Sequence, residues 1–259
     1  MSEPVRDDTG AAVRVPERVR RVVSLVPSLT ETVAVTAPGL LAGATDWCSH
    51  PAGLDVPRVR GTKNPDVERI VALRPDVVLA NEEENRPADL AALRAAGLPV
   101  WVTVIRTVDE ALVSLRRMLA AACRVPEPGW LADAERAWPP PPSARRTAAV
   151  PIWRRPWMVV GRDTFTGDVL SRLGVDNVFA GHADRYPKVP LAGIRAAGPD
   201  LVVLPDEPYR FTRDDGPECF PGTEVALVDG RHLTWYGPSL VAAPAALSAQ
   251  LRATVVHRG

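Results

Sequence analysis

Four histidines, three cysteines and a small set of aromatic side chains carry most of the chemistry this chain has to offer, and their spacing limits what they can do. His50, His182, His232 and His257 never recur at i,i+4, so no helix face offers a ready pair of metal ligands. Metal ligands are also assembled from separate loops. His50, His182 and His232 fall in expected loops and are the candidate ligands of a bare metal ion, with solvated loop histidines as the alternative. Cys48, Cys123 and Cys219 are odd in number, far apart and never in a C-x-x-C, so they read as unpaired thiols rather than a disulfide frame.

Motifs for catalysis are missing. The chain contains no G-x-x-x-x-G-K-[ST], G-x-G-x-x-G, H-E-x-x-H or G-x-S-x-G. Ser28 follows an expected strand and opens an expected helix, as a nucleophile would. Glu31, three residues on, gives the S-x-x-E spacing of a capping box, in which each side chain satisfies a free backbone N–H of the other residue. Capping is the reading preferred here, and no nucleophile–base pair is legible. The expectation is a protein that is not an enzyme.

The aromatic residues say more. They make up only 5% of the chain, yet nearly half of them stand in loops near the ends of expected strands. Trp47 lies in "TDWCSHP", Trp153 and Trp157 in "IWRRPW", Tyr186 in "DRYP", and Trp235 with Tyr236 in "TWYGP". Aromatic walls with few polar groups suit a bulky, flat ligand; packing between loop and lobe is the other reading. Arg154, Arg155 and Arg162 bracket the second of these segments and either face the periphery of a ligand or are solvated.

These side chains need a scaffold. Short aliphatic runs alternate with helical stretches of ten to twelve residues, the pattern of βαβ units around a parallel sheet. "RVVSLV" reads as a buried strand, "PSLTETVAV" as a helix stopped by Pro38-Gly39, and residues 41–45 as a weak strand. A helix from Pro65 to Leu73, the strand "DVVLA", the helix "RPADLAALRAAG" and the strand "LPVWVTV" follow. A helix from Val108 to Cys123 and a short one, "WLADAERAW", lead to four prolines, Pro139 to Pro142, which favour a stiff extended segment. Beyond them come "TAAVPIWRRPWMVVG", a helix with Asp163 as its expected N-cap, "VPLAGIRAAGP" as helix, "DLVVLP" as strand, a long polar loop, the strand "EVALVDG" and a final helix.

One phrase occurs twice. "VERIVALRPDVVLA" and "LAGIRAAGPDLVVLP" each place an isoleucine, Ile70 or Ile194, five residues before a Pro-Asp and an aliphatic strand. The fold class expected is therefore α/β, with two pseudo-repeated Rossmann-like lobes joined by a helix and a ligand cleft between them. The divisions read are a tail (1–20), an N-terminal lobe (21–106), a linking helical segment with the proline run (107–142) and a C-terminal lobe (143–259).

Bulk properties exclude several classes of partner. Lys+Arg and Asp+Glu are 31 each, so no overall basic field gathers nucleic acid. No stretch approaches the ~20 apolar residues of a membrane span. The start of the chain shows no apolar signal region, from which a cytoplasmic protein is expected, or an extracytoplasmic one if the start is misassigned; a monomer is the expected state.

The stretches "RVVSLVPSLTETVAV", "GATDWCSHP", "NPDVERIVALRPDVVLA", "VGRDTFTGDVLSRLGVDNVF" and "YPKVPLAGIRAAGPDLVVLP", in this order over roughly residues 20 to 252, resemble the class III, helical-backbone periplasmic binding proteins. The resemblance implies two α/β lobes joined by a helix and a cobalamin, haem or ferric-siderophore ligand, with no cofactor required beyond that ligand. Trp47 and Tyr186 match two aromatic positions that flank the corrin in cobalamin binders, and Trp153 or Trp157 lies in the segment supplying another. Near Thr62 the family carries a further aromatic that this chain lacks. The resemblance also implies partner docking on a membrane transporter through one glutamate from each lobe. Glu68 matches the first; the second falls on Ala192.

Overall fold

Runs of valine, leucine and alanine with no polar interruption make strands that are buried on both faces, and such strands form the centres of two parallel sheets. In the computed structural model, which describes residues 3–138, 140, 142–143 and 145–257, the chain divides into two compact units. One contains the residues up to Ile105 with Asp109–Asp133 and Tyr236–Pro238; the other contains Arg106–Val108, Ala134–Trp235 and the residues from Ser239 onward. Of the proline run, Pro139 and Pro141 lie outside the described residues.

The N-terminal unit begins with a hairpin of β1 (Val5–Arg6) and β2 (Ala12–Val13). The chain continues through β3 (Val22–Ser24), α1 (Pro27–Thr36), β4 (Leu41–Ala44), a small hairpin of β5 (Arg60–Gly61) and β6 (Asn64–Pro65), α2 (Val67–Ala72), β7 (Val77–Asn81), α3 (Pro87–Ala95) and β8 (Val100–Thr103). Its four-stranded parallel sheet has the order β4-β3-β7-β8. The hairpin caps the β8 end with side chains: Asp7, 2% exposed, accepts the backbone N–H of Val102, and Asp8 accepts that of Val104. Helix α4 (Val108–Arg117) runs into a π-helical turn, Met118–Ala122, and α5 (Gly129–Ala137) follows.

The second sheet contains β9 (Arg146–Ala149), from which a hairpin of β10 (Pro151–Arg154) and β11 (Trp157–Val159) departs. Then come α6 (Phe165–Arg172), β12 (Val175–Asn177), α7 (Leu191–Ala196), β13 (Leu201–Pro205), β14 (Glu224–Val228), α8 (Gly230–Thr234), α9 (Ala243–Arg252) and β15 (Val255–Val256). The order is β12-β9-β13-β14-β15, parallel except for β15.

The two sheets repeat one topology. In each, the second strand lies outside the first, and the third and fourth follow on the other side. The repeated phrase occupies the same place in both, as α2 with β7 and as α7 with β13. Ile70 and Ile194 are each fully buried, the first in a core shared with Val23, Val78 and Leu93, the second in a core shared with Ala149, Val202 and Val225. The two aspartates of the phrase act alike too. Asp76 accepts the backbone N–H groups of Arg20 and Arg21 just before β3, and Asp200 accepts the N–H and hydroxyl of Thr147 in β9.

Two caps differ from expectation. Helix α1 begins with Pro27 at its first turn and Val26 as N-cap, with no side-chain cap. Proline's fixed φ suits that first position, so the helix starts before Ser28, which lies inside it and forms no capping box. Helix α6 is capped by Thr164, whose Oγ1 accepts the Gly167 N–H at 3.1 Å, rather than by Asp163, which adopts a left-handed φ of 47°. The N-cap residue needs extended backbone, which Thr164 has and Asp163 lacks.

Candidate functional site

In a parallel sheet every connection leaves from the same edge, and ligands of open α/β sheets sit at that carboxyl edge. The candidate ligand-binding residues all lie in segments that leave the carboxyl ends of parallel strands in their own unit. Trp47 and His50 follow β4; Trp153, Trp157 and Arg162 follow β9; His182 and Tyr186 follow β12; His232 and Trp235 follow β14.

Trp47 is 69% exposed, the most open large apolar side chain among the described residues. Its backbone is held, with Asp46 N–H donating to Arg60 O at 2.9 Å and Ser49 N–H to Trp47 O at 3.0 Å. Beside it the Cys48 thiol is buried, 3.0 Å from Thr30 Oγ1 and 3.1 Å from Thr45 Oγ1. Burial pushes the Cys48 pKa up despite these hydroxyls, which keeps it a neutral thiol.

The hairpin of the C-terminal unit gathers an aromatic group. Trp153 is 41% exposed, its indole N–H donates to Arg155 O, and its ring meets Tyr209 edge-on at 5.7 Å. Trp157 is half-buried, stacked on Phe211 at 6.1 Å and edge-on to Phe220 at 5.7 Å. The Arg154 guanidinium lies 5.7 Å from the Trp157 ring centroid, held by Asp215 and Glu218. Tyr209 and Phe211 belong to the long loop between β13 and β14, whose composition is mostly polar. Two aromatic residues within a polar loop give no sign of their partners; in the fold Trp153 meets Tyr209, and Trp157 meets Phe211.

Tyr186 is half-buried, with the Arg185 guanidinium 6.0 Å from its ring centroid. Its loop lies close along the β11 segment: Gly161 N–H donates to Arg185 O, and a Cβ on Gly161 would meet Asp184 O at 2.3 Å. Arg162 is exposed; its Nε donates to Ala183 O at 2.6 Å, and it lies 3.5 Å from Asp163. Trp235 is only 7% exposed, and its indole N–H donates to Glu207 Oε2 at 3.0 Å, which commits the ring to the interior of its unit. Glu207 has a raised pKa, first through desolvation and then through the charges of Asp206 and Asp229.

The histidines sit apart in local contacts. His50 Nδ1 is 3.1 Å from Ser49 Oγ, His182 Nδ1 accepts Asp184 N–H at 3.0 Å, and His232 Nδ1 is 3.4 Å from Asp229 Oδ2. Among the described residues no group of three or more His, Cys, Asp or Glu side chains is placed to hold a metal ion. Glu68 is exposed in the first turn of α2, behind the N-cap Asp66, and Ala192 is exposed at the corresponding place in α7.

Comparison with known proteins adds to this geometry. No protein-family model matches the chain. A vitamin B12-binding protein of Pectobacterium atrosepticum is 25% identical over 208 residues, covering 75% of this chain and 73% of that one. The crystal structure of a periplasmic vitamin B12-binding protein of Vibrio cholerae matches with a TM-score of 0.71 at 19% identity, over 90% of this chain and 97% of that one. The chain has the fold of the class III, helical-backbone periplasmic binding proteins. A periplasmic haem-binding protein of Pseudomonas aeruginosa matches similarly, with a TM-score of 0.71 at 22% identity over 92% of this chain and 94% of that one. By their names these relatives bind ligands; none is named as an enzyme.

These relatives correct the cytoplasmic expectation. That expectation rested on the lack of an apolar segment at the start of the chain, a feature that fixes no compartment, whereas the two solved relatives described above are periplasmic. No helix among the described residues is long and apolar enough to cross a membrane.

Proposed function

We propose that the chain is a non-catalytic binding protein for a corrinoid or a related metal chelate, working outside the cytoplasm. The observation that carries the reading is Trp47. It is a large indole presented to solvent at the carboxyl edge of a parallel sheet, on a backbone tied at both neighbours, in a chain with few aromatic residues to spare. Burying such a ring against a flat ligand removes much apolar surface from water at little further cost in order. In the C-terminal unit the exposed face of Trp153, braced by Tyr209, and the half-buried Tyr186 are the proposed aromatic contacts, with Arg162 as a donor to peripheral carboxylates or amides of the ligand.

The names of the homologues support a chelate of this size, and the chain's own residues favour a macrocycle over a bare ion, because aromatic faces are offered and no cluster of metal ligands is found among the described residues. Docking to a transporter is proposed as one-sided, through Glu68, since Ala192 brings no charge to the equivalent place.

Trp47→Ala tests the reading at its central contact. Cobalamin and haem affinities should fall about tenfold or more, a loss of ~1.4 kcal/mol or greater, while far-UV circular dichroism and melting stay as in the wild type. Unchanged affinity would remove Trp47 from the site.

A further inference from the structure

We infer that Arg58 is a positioning residue that fixes Trp47 as a preformed wall for the ligand; the inference rests on Trp47 being a ligand contact. Arg58 is half-buried and its own backbone is locked to the end of β4, through a bridge to Ala44 and the bond from Val59 N–H to Ala44 O. From there its guanidinium reaches three backbone carbonyls. Nη1 donates to Thr45 O and to Cys48 O, each at 3.0 Å, and Nη2 donates to Leu54 O at 3.0 Å.

Thr45 and Cys48 bracket Asp46-Trp47, so the same nitrogen grips the loop on both sides of the indole, while the second draws in the far limb of the loop. Three carbonyls in a segment without regular structure thereby accept from one side chain, Thr45 O also accepting the Cys48 N–H at 3.1 Å across the turn, and the rigid planar fork of arginine suits several acceptors at once. A lysine, with a single compact charge, matches that geometry poorly.

Two further features act on the ring. The Cys48 thiol, wedged between Thr30 and Thr45, pins the residue after Trp47. Gly61 leaves room beside the indole, since a Cβ there would come 3.1 Å from Trp47 Nε1 and 2.5 Å from Asn64 Oδ1. An exposed tryptophan on a loose loop would spend only part of its time correctly placed, and apparent affinity falls in proportion to that fraction. Arg58 keeps the fraction high. Its loss therefore acts chiefly on association, because molecules that do bind make the same contacts.

The test uses protein labelled with 5-fluorotryptophan, which gives one ¹⁹F signal for each of the 7 tryptophans; Trp47→Phe identifies the Trp47 signal. Without ligand, Arg58→Met should move the Trp47 signal toward its position in denatured protein and narrow it, leaving the other signals in place. Arg58→Lys should fall between, and it serves as the variant if Arg58→Met does not fold. Association with cobalamin should slow about tenfold in Arg58→Met, with dissociation changed less. A Trp47 signal unchanged in Arg58→Lys and in any folded Arg58→Met would overturn the inference. The same holds if all tryptophan signals move together, which would mark a general structural role. If wild-type protein binds no cobalamin, cobinamide or haem, the binding reading fails on its own, while the signals of the unliganded protein still decide whether Arg58 fixes Trp47.

Discussion

Glu207 shows how one side chain can be placed at a cost to stability. Its carboxylate accepts the Trp235 indole N–H, yet it is largely desolvated and faces Asp206 and Asp229, so its pKa is raised. An acid whose folded pKa exceeds its unfolded value is happiest protonated in the fold, so ionisation weakens the folded state once the pH passes the ordinary glutamate value. Glu207→Gln keeps an acceptor for Trp235 and removes the charge. It should raise the melting temperature at neutral pH, and the gain should shrink to nothing as the pH falls below that ordinary value. A gain independent of pH would show that the charge is not the cause. Among the candidate residues, Trp47 and Trp153 stood out in sequence because tryptophan is large and rare, although Trp153 lies in β10 rather than in a loop. Arg58 and Tyr209 were not, because their roles depend on which carbonyl or ring the folded chain brings near.

The repeated helix–Pro-Asp–strand elements owe their likeness to one packing solution used twice. Ile70 and Ile194 fill the same place beneath their sheets, and Asp76 and Asp200 tie their loops to the strand alongside. Ile70→Ala or Ile194→Ala should each cost about 2–5 kcal/mol by chemical denaturation, as expected for deleting a buried aliphatic side chain; a loss below about 1 kcal/mol would mean that the site collapses around the gap. The long α/β elements were readable from aliphatic runs and Pro or Gly stops. The β10–β11 hairpin, α8 and β15 were not. The hairpin and β15 are short strands defined by a partner elsewhere in the chain, and α8 is five residues made stable by Asp229 accepting the His232 N–H. The Ser28–Glu31 spacing misled because Pro27 sets the helix start before the cap could act.

For the molecule as a whole, two sheets with the same strand order account for the internal repeat, and the carboxyl edge of each carries aromatic or polar loops that suit ligand binding better than catalysis. The equal numbers of acidic and basic residues agree with a protein whose partner is a small molecule rather than a polyanion. The repeat was visible in sequence because both copies must bury the same isoleucine and strand. The compartment was not, because packing and charge constrain the fold and leave the address unmarked. The claim on which the account depends is that this fold, with these aromatic loops, takes a corrinoid or related chelate. Titrating wild-type protein with cobalamin, cobinamide and haem, while following tryptophan emission and the visible bands of each ligand, measures that directly. Saturable quenching with a band shift for at least one of the three at micromolar concentration is the predicted result; unchanged emission and unchanged bands with all three would contradict it.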